Sequence, residues 1–168
     1  MDVASIKLLI LDVDGVLTDG GIVPGPEGEW SKRFCAQDGC AIKLWQRCGG
    51  KAALLSGRAD RVVRQRAAEL GVEWVRTGIS DKLKAYESIL ADVGCADSAV
   101  AYLGDDLPDL SPMARCAFPV AVANAVPAVK RASDYVTRLA GGCGAVAEVV
   151  ELLLRKQKRW SYGLLTEV

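Results

Sequence analysis

The alternation of short apolar runs with longer segments of helical periodicity is the feature that most restricts how this chain can fold. The apolar runs predict six strands, at residues 7–13, 52–56, 73–76, 99–103, 118–122 and 134–137. Helical segments are predicted between them, at 38–48, 60–70, 81–93 and 145–158. Repeated strand–helix alternation predicts a three-layer α/β/α, doubly wound fold with a mostly parallel sheet and helices on both faces.

One segment, about residues 20–34, departs from this alternation. It concentrates Gly and Pro between two extended arms, a pattern typical of a β-hairpin. Ile22, Val23 and Trp30 are poor residues for a free surface loop, because each exposes apolar area. A hairpin that projects from an α/β domain also leaves strand edges uncovered. We therefore expect a second copy of the chain to cover it.

Length and composition limit the number of domains and the partners. A chain of 168 residues with 51% hydrophobic residues predicts a single domain, placed at residues 1–158 and followed by a tail at 159–168. The 21 basic and 21 acidic residues cancel, which argues against nucleic acid or an anionic membrane as a partner. Six scattered cysteines without a C-x-x-C pair, and an N-terminus unlike a signal peptide, predict reduced thiols and a cytoplasmic protein.

The chain contains no histidine, which removes several classes of active site. A Ser–His or Cys–His nucleophile pair and a His-ligated zinc or haem are excluded. Proton transfer near neutral pH then falls to carboxylates, to a perturbed Lys or Cys, or to metal-bound water. The acidic residues therefore become the principal candidates for chemistry.

Polar residues follow the predicted strands, at the sheet edge where open parallel sheets bind ligands. Asp12 and Asp14 end the first strand, Ser56-Gly57-Arg58 follow the second, Lys82 begins a helix, and Asp105 and Asp109 follow the fourth. Several carboxylates in one crevice repel one another strongly unless a cation lies among them. Oxygen ligands select a hard divalent ion, so this edge predicts a Mg²⁺–phosphate site.

The residues at this edge predict phosphoryl transfer through a covalent intermediate. Asp12 is the expected nucleophile, which forms an aspartyl-phosphate that water then hydrolyses. Asp14 is expected to protonate the leaving alkoxide and later to take a proton from the attacking water. Ser56 and Lys82 are expected to hold the phosphoryl oxygens. Asp105 would join Asp12 on the metal, and Asp109 would steady the ligand shell.

Four motifs of this sequence resemble the signature motifs of the haloacid dehalogenase superfamily of phosphatases, in the same order. They are Asp-Val-Asp-Gly-Val-Leu-Thr at Asp12, Ser-Gly-Arg at Ser56, Asp-Lys at Asp81 and Gly-Asp-Asp-Leu-Pro-Asp at Gly104. Beyond them, Asp38-Gly39, the stretch 121–125, the stretch 132–137 and the glycine-rich stretch 141–146 are similar to the 3-deoxy-D-manno-octulosonate 8-phosphate phosphatases. The resemblance covers residues 7 to about 154.

The resemblance implies a Mg²⁺-dependent enzyme without a cap domain. It implies a tetramer built through the hairpin, in which a neighbouring subunit helps to close the active site. It adds the backbone carbonyl of Asp14 to the metal ligands and Asp106 to the surrounding polar shell. Arg58 matches the octulosonate enzymes and could pair with the carboxylate of a phosphorylated 3-deoxy-2-keto sugar acid. Asp38 and Gly57 are further candidate substrate-binding residues.

Several alternatives stay open from the sequence. Gln37 stands where a basic residue is common in the octulosonate enzymes, so a nine-carbon sugar acid 9-phosphate is the alternative substrate. A phosphoacceptor domain would place its adjacent acid pair early, whereas Asp105-Asp106 come late; a catalytically silent assembly module is the third possibility. The basic and aromatic stretch 155–165 is either a frayed tail or, from residue 160 to 165, a segment that docks near a neighbour's crevice.

Overall fold

The structure, a computed structural model, describes residues 3–25 and 30–160 and contains a central six-stranded sheet. Its strands are β1 Leu8–Asp12, β4 Lys51–Ser56, β5 Trp74–Thr77, β6 Val100–Gly104, β7 Phe118–Ala121 and β8 Tyr135–Val136. They are all parallel and lie in the order β5-β4-β1-β6-β7-β8. Every residue of β1 and β6 is buried, as expected for strands covered on both faces.

The helices connect the strands in the predicted alternation. They are α1 Ala36–Arg47, α2 Arg61–Leu70, α3 Lys82–Val93, α4 Leu110–Met113, α5 Pro127–Arg131 and α6 Ala145–Lys156. α1 packs against α6 and α2, whereas α3 packs against α4. Right-handed crossovers place these two groups on opposite faces, because the strand order runs one way from β1 to β5 and the other way from β6 to β8. The predicted three-layer, doubly wound fold is confirmed.

The connection from β1 to α1 carries the hairpin rather than a further folded domain, within the residues described. Its strands are β2 Val23–Pro24 and β3 Trp30–Ser31, which pair antiparallel. A bridge between Thr18 and Phe34 closes its base. The predicted turn residues 26–29 lie outside the described part of the chain. Across the described ranges, no helix is long and apolar enough to cross a membrane.

The helix ends predicted from glycine are correct, and the predicted starts at Asp60 and Asp81 are the observed N-cap positions of α2 and α3, whereas the predicted start of the first helix is wrong. Gly71 and Gly94 adopt the left-handed conformation after α2 and α3, as the sequence predicts. The first helical segment is predicted to begin at Asp38, but α1 begins two residues earlier, after Cys35. Asp38 instead lies in the first turn of α1, and its side chain faces the start of α6. The short helix α4 follows a turn that contains Pro108, and α5 begins with Pro127; both have too few residues to show a helical period.

Candidate active site

The candidate site lies where the strand order reverses, at the carboxyl ends of β1, β4 and β6. β1 pairs with β4 on one side and with β6 on the other, which makes its end the switch point of the sheet. Asp12 is the last residue of β1, Ser56 is the last residue of β4, and Asp105 follows β6 directly. The topology therefore brings residues from three distant parts of the sequence to one edge.

A chain of ion pairs joins Asp12, Lys82 and Asp109. Lys82 Nζ lies 2.6 Å from Asp12 Oδ1 and 2.6 Å from Asp109 Oδ1, and all three side chains are buried or nearly so. Burial raises the pKa of Asp12 well above its ordinary value, and the charge of Asp109 adds to this, while Lys82 opposes it. Burial lowers the pKa of Lys82, but the two carboxylates outweigh it and raise the pKa overall. Lys82 is therefore a fixed positive charge beside Asp12.

Asp109 is a buried anchor whose two oxygens accept four hydrogen bonds. Oδ1 accepts from Lys82 and from the Tyr102 hydroxyl at 2.7 Å. Oδ2 accepts from the backbone N–H of Asp105 at 3.0 Å and of Asp106 at 3.2 Å. Asp106 caps the short helical turn Leu107–Asp109 in a reciprocal box with Asp109. Asp109 thus fixes both the loop after β6 and the lysine, consistent with the expected shell role, and Tyr102 is a partner that the sequence did not reveal.

The carboxylates of Asp12, Asp105 and Asp109 offer oxygens that all lie within 4.8 Å of one another. Burial, followed by the charge of Asp109, raises the pKa of Asp105 to about 6, which is the behaviour of acids crowded without a counter-ion. Because Asp109 already accepts four hydrogen bonds, Asp12 and Asp105 are the free ligands. Mg²⁺ typically takes one or two carboxylates together with waters and substrate phosphate oxygens, so this pair of carboxylates suits it. The donor set therefore fits the ion that the sequence predicted.

The turn after β1 is held in place by close backbone packing. Gly15 has φ +96°, and a Cβ there would lie 2.0 Å from Asp105 Oδ2, so glycine lets the turn approach that carboxylate. Asn124 Nδ2 donates to the Gly15 carbonyl at 3.0 Å, and Asn124 Oδ1 accepts from the Gly141 N–H at 2.7 Å. Asn124 lies within the stretch 121–125 that carried the family resemblance, but its positioning task was not predicted.

Asp14 lies within this turn, directly before Gly15, and contacts two basic side chains. Lys32, beside β3 of the hairpin, donates to Asp14 Oδ1, and its Nζ lies 2.8 Å from Asp60 Oδ2. Arg58 Nε lies 3.9 Å from Asp14 Oδ2. Lys32 and Asp60 were not among the predicted site residues. Neither the hairpin lysine nor the acid before α2 carries a sequence pattern that indicates this meeting.

Ser56, Gly57 and Arg58 form the turn after β4, beside the Asp14 carboxylate. Ser56 is fully buried; its Oγ accepts from the Arg58 N–H at 3.2 Å and donates to the Arg58 carbonyl at 3.3 Å. Gly57 is exposed, and the Arg58 side chain is 48% exposed, at the mouth of the crevice. Ser56 thus lies at the buried end of β4, whereas Arg58 lies half-exposed beside the Asp14 carboxylate.

Asp38 lies away from this arrangement of contacts and requires a correction. Its side chain is 1% exposed, Oδ1 accepts from the Ala147 N–H at 2.9 Å, and Oδ2 accepts from the Gly144 N–H at 3.3 Å. These are free amides at the start of α6, so Asp38 ties α1 to α6. Burial raises the pKa of Asp38, although the amide hydrogen bonds oppose it. A carboxylate committed in this way is not available for the substrate contact expected from the sequence.

Comparison with known proteins adds the family context. A family model described as haloacid dehalogenase-like hydrolase matches residues 72–150. The 3-deoxy-D-manno-octulosonate 8-phosphate phosphatase of Yersinia pestis is 44% identical over 156 residues, which cover 93% of this chain and 83% of that protein. The enzyme of the same name from Escherichia coli K12 is 45% identical over 153 residues, which cover 91% and 81%.

Solved structures give the same picture. A 3-deoxy-D-manno-octulosonate 8-phosphate phosphatase from Moraxella catarrhalis, in complex with a magnesium ion, a phosphate ion and the sugar acid KDO, superposes with a TM-score of 0.93 at 38% identity. The match covers 99% of this chain and 95% of that chain. The cobalt-bound phosphatase from Haemophilus influenzae superposes with a TM-score of 0.91 at 37% identity, covering 94% and 92%.

Proposed function

Because the chain belongs to the 3-deoxy-D-manno-octulosonate 8-phosphate phosphatase family of haloacid dehalogenase-like hydrolases, we propose that it hydrolyses that sugar acid phosphate. The products are the sugar acid and inorganic phosphate, and the reaction is Mg²⁺-dependent. The observation that carries the proposal is the Asp12 carboxylate, buried at the switch point and paired with Lys82 at 2.6 Å beside Asp105. A nucleophile and a fixed cation at this place are what phosphoryl transfer requires.

In the first half-reaction, an Asp12 carboxylate oxygen attacks phosphorus while the bond to the sugar oxygen breaks. Asp14 gives its proton to the leaving alkoxide, which departs as a hydroxyl group of the sugar acid. Lys82 offsets the negative charge that gathers on the phosphoryl oxygens. The Ser56 hydroxyl turns from the Arg58 carbonyl and donates to one of those oxygens, because it has only one proton to give.

In the second half-reaction, water attacks the phosphorus of the aspartyl-phosphate. Asp14, now ionised, takes the proton from that water, and the bond between phosphorus and Asp12 breaks to release phosphate. Asp12 and Asp14 stand two residues apart on either side of Val13, so one short segment supplies both the nucleophile and the proton carrier. Asp109 and Asp106 take no part in these steps. Asp109 holds Lys82 in place, and together with Asp106 it holds the loop that carries Asp105.

A Mg²⁺ ion would be held by the Asp12 and Asp105 carboxylates and the backbone carbonyl of Asp14. When bound, it supplies positive charge that neutralises these acids and the phosphate oxygens. The close grouping of these acids supports this assignment, since buried carboxylates within 4.8 Å of one another need a counter-ion, and burial followed by the charge of Asp109 raises the pKa of Asp105.

The substrate class follows from the rim of the crevice. The Arg58 guanidinium is partly exposed there and suits bidentate pairing with the carboxylate of a 2-keto sugar acid, and Gly57 leaves the approach open. Gln37 offers no positive charge, so Arg58 is the principal candidate for acid recognition. A panel that compares the eight-carbon 8-phosphate with a nine-carbon 9-phosphate tests this choice. Higher kcat/KM for the nine-carbon compound would overturn it.

The assembly we propose is a homotetramer formed through the hairpin. Ile22, just before β2, is 43% exposed, and Val23 in β2 is 57% exposed, which is apolar area that a second copy would cover. Residues 1–158 would form the catalytic domain and 159–168 the tail, most of which lies outside the described residues. The six cysteines are all free thiols, which supports a reducing, cytoplasmic compartment. Light scattering of the purified chain measures the assembly, and a monomer at micromolar concentration would refute it.

The catalytic proposal is tested by phosphate release with and without a chelator. Asp12→Asn keeps the shape of the side chain but removes the nucleophile, so release should fall to background while the circular dichroism spectrum is unchanged. Turnover comparable to that of the unaltered protein would refute the assignment of Asp12 as the nucleophile. Turnover that persists in the presence of chelator would refute the requirement for Mg²⁺.

A further inference from the structure

The hairpin contributes one buried charge to the crevice, the ammonium group of Lys32. The Lys32 side chain is only 3% exposed, although it follows a two-stranded ribbon at the protein surface. Lysine is almost never buried unless it is paired. Here its Nζ contacts Asp14 Oδ1 and lies 2.8 Å from Asp60 Oδ2. Three separate elements therefore meet at one ammonium group.

Asp60 is oriented toward this lysine rather than toward its own helix. It occupies the position just before α2, where an aspartate normally accepts hydrogen bonds from the first helical amides. Its side chain makes no such bond. Asp81 is the counter-example in this chain, since it caps α3 by accepting from Leu83 and Lys84 at 3.1 Å each. The Asp60 carboxylate instead anchors the buried ammonium of Lys32.

We propose that Lys32 is a positioning residue for the proton transfer assigned to Asp14, a role that rests on the proposed phosphatase function. Lys32, paired with Asp60, occupies Asp14 Oδ1 and leaves Oδ2, which lies 3.9 Å from Arg58 Nε, as the oxygen available to the substrate. As Asp12 attacks and the P–O bond breaks, the proton passes from Asp14 Oδ2 to the leaving oxygen. Lys32 itself is too buried to meet the substrate, unlike the half-exposed Arg58. The hairpin thereby sets the geometry of catalysis.

Leaving-group dependence separates this role from a general structural one. The quantity measured is kcat/KM, which reports only the steps up to release of the leaving group. 4-Nitrophenyl phosphate releases a phenolate that is stable without a proton, whereas phenyl phosphate releases a more basic one that gains from an acid. Neither ester carries a carboxylate, so loss of acid recognition cannot imitate the effect.

Lys32→Met should lower kcat/KM for phenyl phosphate by roughly tenfold or more, part of the 10²–10⁴ that a general acid typically contributes. For 4-nitrophenyl phosphate the loss should stay within about threefold, because that ester needs little protonation. Arg33→Met is the matched control, since the Arg33 side chain is 76% exposed and pairs with Asp19 on the surface. It should leave both values unchanged.

A second variant guards against misfolding. Lys32→Met leaves the Asp60 carboxylate buried without its partner, so the double variant Lys32→Met/Asp60→Asn removes that charge as well. It should show the same selective loss with a melting temperature close to the unaltered protein. Equal losses on both esters, no loss on either, or failure of both variants to fold would overturn the proposal. If the unaltered protein released no phosphate from any ester with Mg²⁺, the proposed function itself would fail.

Discussion

Replacing Asp38 by alanine tests whether this residue serves the fold, as its contacts indicate, or the substrate, as the sequence suggested. Asp38 lies in α1 and accepts hydrogen bonds from Gly144 and Ala147 at the start of α6. Alanine removes both acceptors and leaves the two amides without a partner in a buried place. The variant should therefore lose stability while kcat/KM for the sugar acid phosphate stays unchanged.

The size of the loss follows from the burial of these amides. A helix cap is typically worth about 0.5–2 kcal/mol. A buried N–H left without an acceptor costs about 1–3 kcal/mol. Because both figures describe the same amides, we expect a combined loss of about 2–3 kcal/mol in the free energy of unfolding. In a chain of this size that lowers Tm by about 5–10 °C.

Asp81→Ala is the control for this experiment. Asp81 caps α3 with two hydrogen bonds of 3.1 Å, but its side chain is 48% exposed, so water replaces the lost acceptor. Its loss should be about 1 kcal/mol. Urea unfolding followed by the fluorescence of buried Trp45 gives both values. An Asp38→Ala loss no larger than that of Asp81→Ala, or a fall in kcat/KM at full stability, would refute the structural role.

The pH dependence of Asp38 provides a second measurement. Burial raises its folded pKa, so the folded protein binds its proton more tightly than the unfolded chain does. The stabilising contribution of the side chain is then fully present below the unfolded pKa and declines as pH rises through the folded value. The stability gap between the unaltered protein and Asp38→Ala should therefore be wider at pH 5 than at pH 7.5. A gap that widens with pH would contradict the direction of this shift.

Two further predictions concern the metal and the turn after β1. Since burial and Asp109 raise the pKa of Asp105 to about 6, protons compete with Mg²⁺, and Mg²⁺ affinity in calorimetry should fall roughly tenfold per pH unit below that value; a flat profile would contradict it. In Gly141→Ala, the new Cβ would lie 1.7 Å from the Gly15 carbonyl oxygen, so activity should be lost with about 1–3 kcal/mol of stability. Gly94→Ala, which meets no atom within 4 Å, should cost about 1–2 kcal/mol and keep activity.

The parts of the fold that depend on local pattern could be predicted from the sequence. The strands at 7–13 and 99–103 were placed within one or two residues of β1 and β6, because buried parallel strands are continuous apolar runs. Glycine ended α2 and α3 where expected, because the left-handed conformation favours it. The topology rule then placed Asp12 and Asp105 at one edge.

The parts that depend on tertiary contacts between polar groups could not be predicted in the same way. Asp38 has the sequence appearance of a cap for its own helix, yet its amide partners lie more than a hundred residues away. In the sequence, Lys32 has no feature that distinguishes it from an exposed charged residue of a hairpin. Its burial and its ion pair with Asp60 become evident only in the folded structure. The spacing of apolar residues in the sequence indicates helices and strands through their different periods. The partner of a buried charge depends instead on how those elements pack against one another.

The charges at the switch point explain why the sequence nevertheless indicated the cofactor. Asp12, Asp105 and Asp109 bring three negative charges together, and Lys82 returns one positive charge. The excess of two negative charges is what one divalent cation neutralises, whereas a further lysine would neutralise only half of it. Burial first, and then the charge of Asp109, raises the pKa values of Asp12 and Asp105, so part of each shift comes from that excess. A fold that retains such repulsion in a buried place gives up stability for chemistry, and the same acids mark the site in the sequence.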